Sequence, residues 1–265
     1  MKQKILKILR SKAFQPFWEM LHHISLVGMN HWGGASLYHS GEIHALKYML
    51  DKLERKESII VFDVGANFGQ YALLINKYLK SGQIYSFEPS KYTYKILNKT
   101  VNKYPNIITH NIGFGSEKSS VKLYSSGKGD AIASVHKLNN RKDYINEGLT
   151  EEIELNTIDS FCNNNNIDFI DILKIDIEGH ELYALKGALE MINNLRINFI
   201  QFEFSEFNID SRTFFRDFYD LLSPYFILYR IVSNGIVSLS SYNEDLEIFH
   251  TANFIAERKN LLNTM

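Results

Sequence analysis

The chain of 265 residues sets 29 Lys and Arg against 30 Asp and Glu, a formal charge of −1, with 45% hydrophobic residues, 22% charged residues and 4 prolines. That length and balance suit one large α/β domain with an N-terminal extension, exclude a disordered chain, and disfavour nucleic acid or another long polyanion as partner. The single cysteine, Cys162, can form neither an internal disulfide nor a thiolate metal site by itself. It points to a reducing compartment, with the cytoplasm as the default.

The chain starts "MKQKILKILRSKAF", where five cations stand among Ile5, Leu6, Ile8 and Leu9. Without a long apolar core or a small-residue cleavage site this is not a secretory signal, and no apolar run approaches the length of a membrane span. Two readings stand for it: a helix packed on its own domain, or a basic amphipathic helix making peripheral contact with an anionic membrane, here the inner membrane surface. Residues 1–57 read as a mostly helical extension able to cover a cleft, and residues 58–265 as the main domain.

From residue 58 onward strand and helix patterns alternate, the mark of a parallel sheet covered by helices. "SIIVFDVG" reads as a buried strand, "QYALLINKYLK" as a helix, "GQIYSFEP" as a strand, "KYTYKILNKTVNKY" as a helix and "NIITHNIGFG" as a third strand. "SSVKLYSSGKGDAIASVHKL" and "EEIELNTIDSF" then break the rhythm as an insertion or edge region. Alternation resumes with "DILKIDIEG", a helix from His180 to about Asn193, the strand "INFIQFEFS" and a helix through "RTFFRDFYDLL". The tail reads as strands, with a hairpin turn at Asn234-Gly235.

The turn in "VFDVGANFGQYALLI" lies at the carboxyl end of the first strand, where open α/β sheets bind ligands. Gly65 and Gly69 offer close backbone approach, and Glu88, ending the next strand, falls near the spacing at which an acid holds a ribose hydroxyl pair. A nucleoside cofactor follows. The middle glycine of a dinucleotide loop is replaced by Asn67, and no G-K-[ST] follows, so dinucleotide and Walker-type loops both fit poorly. Asp63, just before the first glycine, suits a cofactor with a cationic amino-acid group.

That combination resembles the S-adenosylmethionine site of Rossmann-like methyltransferases. The resemblance implies Asp63 and Gly65 near the methionine end, Glu88 on the ribose, and Asn111 with Ile112 flanking the adenine.

In "ILKIDIEGHELYALKGAL" strand alternation sets Lys174, Asp176 and Glu178 on one face and Ile175 and Ile177 on the other. Such charges pair with one another or line a cleft. With this strand beside the first, Asp176, Glu178, His180 and Glu181 can meet a substrate, and Glu203 ends the next strand on the same rim. Methyl transfer needs an aligned acceptor, a dry site and a proton acceptor. Asp176 and Glu178 rank ahead of His180 as that base, with Lys174 as an ion-pair partner.

Taken together, "FDVGANFGQYA", "YSFEPS", "LNTIDSF", "ILKIDIEGHELYALKGA" and "FIQFEFSE" resemble the FkbM family of S-adenosylmethionine-dependent methyltransferases over about Glu42 to Glu206. The string Lys174 to Glu181 is the most specific part. The resemblance implies a class I methyltransferase fold, a mostly parallel seven-stranded sheet with helices on both faces. It also implies O-methylation of a hydroxyl on a sugar, glycan precursor or other small metabolite. The upstream "FQPFWEMLHHISLVGMNHWGGASLYHSGE" is similar to the leader of members associated with surface-glycan biosynthesis. Two other readings compete, a dinucleotide-dependent oxidoreductase and a non-catalytic nucleoside-binding module. A nucleic-acid methyltransferase is disfavoured because "DIEG" stands where D/N-P-P-Y/F is expected. Trp18, Trp32, Tyr38 and Tyr242 are candidates for a sugar-stacking floor, and no metal is expected, since the adjacent His22 and His23 cannot face one ion from a helix.

Overall fold

The computed structural model describes residues 2–32, 39–137 and 148–259. Its strands are β1 (Ile59–Val64), β2 (Gly82–Phe87), β3 (Ile107–His110), β4 (Gly113–Phe114), β5 (Ser119–Ser125), β6 (Leu149–Asn156), β7 (Ile170–Ile175), β8 (Ile197–Phe204), β9 (Phe226–Val232), β10 (Gly235–Leu239) and β11 (Ala252–Arg258). Among the described residues the main sheet has eight strands in the order β10-β9-β11-β8-β7-β1-β2-β3. Strands β3, β2, β1, β7 and β8 run parallel, whereas β11 is antiparallel to both β8 and β9. The chain steps from β1 outward to β3 and returns to pair β7 on the other side of β1. The crevice at their carboxyl ends is therefore the topological switch point.

The strand count exceeds the expected seven because β10 folds back on β9 through a two-residue turn, Val232 pairing with Gly235. The expected third strand also divides: β3 stays in the main sheet, while β4 joins β5 and β6 in a separate three-stranded sheet. The segment read as an insertion is thus a small second sheet beside the crevice.

Helices α1 (Lys2–Leu9), α2 (Gln15–Gly28), α3 (Glu42–Lys52), α4 (Gln70–Tyr78), α5 (Lys91–Val101) and α6 (Ile158–Asn164) lead into the central strands. The single helix expected from His180 to Asn193 is two, α7 (Glu181–Lys186) and α8 (Leu189–Asn193). Gly187 sets the break, since a Cβ there would lie 2.1 Å from the Gly115 carbonyl oxygen of the second sheet. Asp159 then caps α8 from a distance, accepting from the Glu190 and Met191 N–H groups at 2.8 and 3.0 Å. Helices α9 (Phe207–Ser211) and α10 (Phe215–Leu222) follow β8.

Strand alternation builds two cores. Phe62, Val64, Phe87, Leu173, Ile175, Ile200, Phe202 and Phe204 pack on one face, and Ile59, Val61, Ile84, Ile172 and Phe199 on the other, beneath α3, α4 and α5. The second face changes character toward the carboxyl ends. Val61 is succeeded by Asp63, Ile84 by Ser86 and Glu88, Ile172 by Lys174, and Phe199 by Gln201 and Glu203, so four adjacent strands turn polar on one face at one level.

Candidate active site

Strand register makes a row of those positions: Ser86 pairs with Asp63, Asp63 with Lys174, and Lys174 with Gln201. Lys174 is its cation. Its Nζ lies 2.9 Å from Asp176 Oδ2 and 4.7 Å from the centre of the Tyr71 ring. Burial lowers the lysine pKa, but Asp176, Asp63 and Glu42 together outweigh burial and leave it raised.

Asp63 lies fully buried beneath the glycine turn, neither carboxylate oxygen accepting a hydrogen bond. Burial pushes its pKa up to about 6, with Lys174 opposing and Asp176 adding to the rise. The turn above it is held to β2 by Gly65 N–H and Ala66 N–H, which both donate to the Phe87 carbonyl at 3.0 and 2.9 Å. Gly65 has φ +82, and a Cβ would lie 1.9 Å from the Asp176 carbonyl oxygen. The glycine is therefore demanded by the exit of β7 rather than by a ligand. Gly69, with φ +87, begins α4, and its missing Cβ lets Leu97 and Val101 of α5 approach. Asn67, also left-handed at φ 47, lies between them and lines the cleft.

Glu88 stands at the rim with one oxygen accepting from Asn67 N–H at 3.1 Å and the other from Ser90 N–H at 2.9 Å. Burial pushes its pKa up to about 7, the two N–H donors opposing. Each oxygen keeps a lone pair for a hydroxyl donor, the requirement for gripping a diol. Asn111 and Ile112 do not reach the cleft wall. The Asn111 amide donates to the Glu88 and Pro89 carbonyls, both at 2.8 Å, and Ile112 packs on the core.

The alternation expected through Glu178 stops at Asp176, because β7 ends at Ile175 and Glu178 takes φ 53. Lys174, Asp176, Glu178 and His180 nonetheless share the cleft wall with Glu203. Burial, reinforced by Asp176, Glu178 and Glu181, holds the Glu203 carboxyl well above the usual carboxylate range. Glu181 instead points inward as a brace, its Oε1 accepting from Ile177 N–H at 2.8 Å and Gly179 N–H at 3.1 Å.

Four partners escape a reading of the motifs. The Glu42 carboxylate, buried on α3, accepts from Ser40 Oγ at 3.0 Å and Gln201 Nε2 at 2.9 Å, and Tyr71 donates to Gln201 Oε1 at 2.8 Å. The one local signal is a glutamine inside the otherwise apolar "INFIQFEF". The fourth is His136, whose Nε2 lies 3.0 Å from His180 Nδ1. Burial, with His136 adding to it, pushes the His180 pKa down to about 3, and Tyr183 stacks on its ring at 4.7 Å.

Glu42, Tyr71, Lys174, Asp176, His180 and Glu203 floor a cavity of about 1340 Å³ walled by Phe68, Tyr92 and residues 127–133 and 135. Ser134 Oγ donates to the Glu178 carbonyl at 2.7 Å, tying that wall to the turn after β7. Of the described residues before 58, Glu42 and Ile43 reach the cavity. The proposed aromatic floor does not assemble. Trp18 lies on α2, Trp32 packs at a tilt against His23 and His250, Tyr242 packs near Tyr219, none lines the cavity, and Tyr38 lies outside the described residues. Among the described residues, no three metal-ligating side chains gather.

Such a site offers a diol grip at Glu88, a strongly anionic floor around one ammonium, and adjoining space for a second molecule. A family model described as the methyltransferase FkbM domain matches residues 63–228. Hexuronic acid methyltransferase AglP of Haloferax volcanii is 26% identical over 158 residues, 58% of this chain and 60% of that protein. Methyltransferase 1 of Beauveria bassiana is 24% identical over 146 residues, 49% and 58% of the two chains. The matches therefore span about three-fifths of these relatives' length. Among solved structures, a putative methyltransferase from Streptococcus mutans in complex with SAH superposes with TM-score 0.44 at 9% identity, over 80% of this chain and 97% of that one. Precorrin-6y C5,15-methyltransferase from Geobacter metallireducens gives 0.42 at 9%, over 80% and 87%. The chain belongs to the methyltransferase FkbM domain family.

Proposed function

We propose that this protein is an O-methyltransferase acting on a hydroxyl of a sugar or glycan precursor. The observation that carries the reading is the polar end of four adjacent strands, where Asp176 and its Lys174 partner face the same cavity as Glu88. S-adenosylmethionine, when bound, supplies an electrophilic methyl group on a sulfonium. The residues fit that donor: Glu88 retains acceptor capacity for the ribose hydroxyls, and the anionic floor suits a cationic methionine end. Gly65 and Asn67 frame the turn beside it, with Asp63 contributing negative potential from below.

The acceptor hydroxyl then lies against Asp176, whose Oδ2 is held by Lys174, leaving Oδ1 to take the proton. Glu203, its carboxyl held well above the usual range by burial, shares a hydrogen bond with the acceptor, and Glu178 shares its positioning. The His136–His180 pair stays neutral and shapes the wall. A sugar acceptor is supported by the carboxylates of Asp176, Glu178 and Glu203 on the cavity wall and by the uronic acid in the name of the Haloferax relative.

The test is calorimetry with S-adenosylmethionine and NAD, followed by turnover on a panel of sugars, uronic acids and their nucleotide-linked forms. Binding of S-adenosylmethionine without NAD, and methyl transfer to a sugar hydroxyl that Asp176→Asn slows by about 10²–10⁴ at unchanged donor affinity, is the expected result. NAD binding alone, or an Asp176→Asn enzyme of full activity, overturns it.

A further inference from the structure

The N-terminal helices carry an apolar surface that the domain does not cover. In α2 Leu26 is the buried residue, while Phe17, Met20, Leu21, Ile24 and Val27 are exposed, Ile24 and Val27 by more than half at 56% and 55%. Their spacing sets them on one side of the helix, with Glu19, His22 and Ser25 opposite. Phe14 extends the stripe toward α1, where Leu6 and Ile8 are also exposed. Trp18 ties the two helices by donating from Nε1 to the Leu9 carbonyl at 2.7 Å.

The surface is held in a defined place. At the far end of α2, Asn30 Nδ2 donates to the Ser40 carbonyl at 2.8 Å, and Trp32 N–H donates to the Thr251 carbonyl at 2.9 Å. Leu26 and the turn beyond it thus pack on the domain, while the rest of α2 is exposed.

Charge selects the occupant. Residues 1–41 contain Lys2, Lys4, Lys7, Arg10 and Lys12 against the single acid Glu19, a net +4; with a total of −1, the remainder is −5. A second copy meeting this surface about a two-fold axis would bring +4 against +4. An anionic lipid surface accepts both properties at once, the cations at the headgroups and the apolar stripe at the acyl boundary, with a tryptophan at the interface. We propose that α1 and α2 form a docking surface for an anionic membrane and hold the catalytic domain against it.

The experiment is co-sedimentation of the full chain with vesicles of phosphatidylcholine alone and of phosphatidylcholine mixed with phosphatidylglycerol. The mixed vesicles should carry the protein down and the neutral ones should not. Lys7→Gln, Arg10→Gln and Lys12→Gln should each weaken binding about fivefold, and together about 100-fold. Ile24→Glu should abolish binding. All are exposed positions, so circular dichroism and the melting temperature should match the parent. Protein left in solution with mixed vesicles, or equal binding to both compositions, overturns the proposal. So does a light-scattering mass of two chains that Ile24→Glu reduces to one, which assigns the surface to a second copy.

Discussion

Replacing Asp63 by Asn tests the electrostatics of the buried row without substrate or cofactor. Asp63 is fully buried, its oxygens accept no hydrogen bond, and its pKa is about 6 against an ordinary 3.8. A carboxyl whose pKa is raised on folding leaves stability intact below the unfolded pKa and withdraws it as pH rises through the folded one. About two pH units correspond to about 3 kcal/mol of destabilisation, complete above about pH 7, of which about 1 kcal/mol is already present near pH 4.5. Asn cannot ionise, so Asp63→Asn removes this penalty while adding a pH-independent packing and hydrogen-bonding cost. That cost cancels in a difference. Urea unfolding of parent and variant at about pH 4.5 and about pH 7.5 should show the variant gaining about 2 kcal/mol relative to the parent at the higher pH. A stability difference that does not move with pH, or that moves the other way, refutes the claim that the Asp63 charge is poorly compensated by Lys174.

Three further outcomes follow from the same geometry. Gly65→Ala places a Cβ 1.9 Å from the Asp176 carbonyl oxygen at φ +82; the left-handed backbone alone costs about 1–2 kcal/mol, so thermal melting should fall by at least about 2 °C, and an unchanged midpoint would contradict the close β1–β7 approach. Glu88→Ala should weaken S-adenosylmethionine binding in calorimetry by about 10- to 150-fold, because charge-assisted bonds to the ribose are lost; undiminished affinity removes Glu88 from the cofactor site. His180→Gln should leave the acidic limb of the pH–rate profile in place and retain activity to within about tenfold, since an imidazole already neutral is not the titrating base. Disappearance of that limb would reassign the base to histidine.

Much of the fold and the cleft position of several candidate residues were legible in the chain itself, because the signals involved are local. Short, largely apolar runs mark β1, β2, β7 and β8, the left-handed turn from Gly65 to Gly69 declares itself by its glycines, and Glu88 follows from its place at the next strand's end. The misplacements share a cause. Asn111 and Glu181 stand where cleft residues are expected, but backbone groups nearby claim their side chains, a competition that spacing does not reveal. The break at Gly187 depends on Gly115, far away in sequence.

Tertiary structure alone decided which polar groups meet. Glu42 and Gln201 are 159 positions apart, and Tyr71 reaches Gln201 across 130; these contacts exist because α3 and α4 lie on the face where four strands turn polar together. His136 meets His180 because the second sheet carries its loop to the crevice. The sequence by itself determined the central strands and most helices, the glycine turn and the family, since each is written in neighbouring residues. Register and helix docking determined the shared charge of the site, since Coulomb interactions depend on distance through space and the burial that raises them belongs to the whole fold.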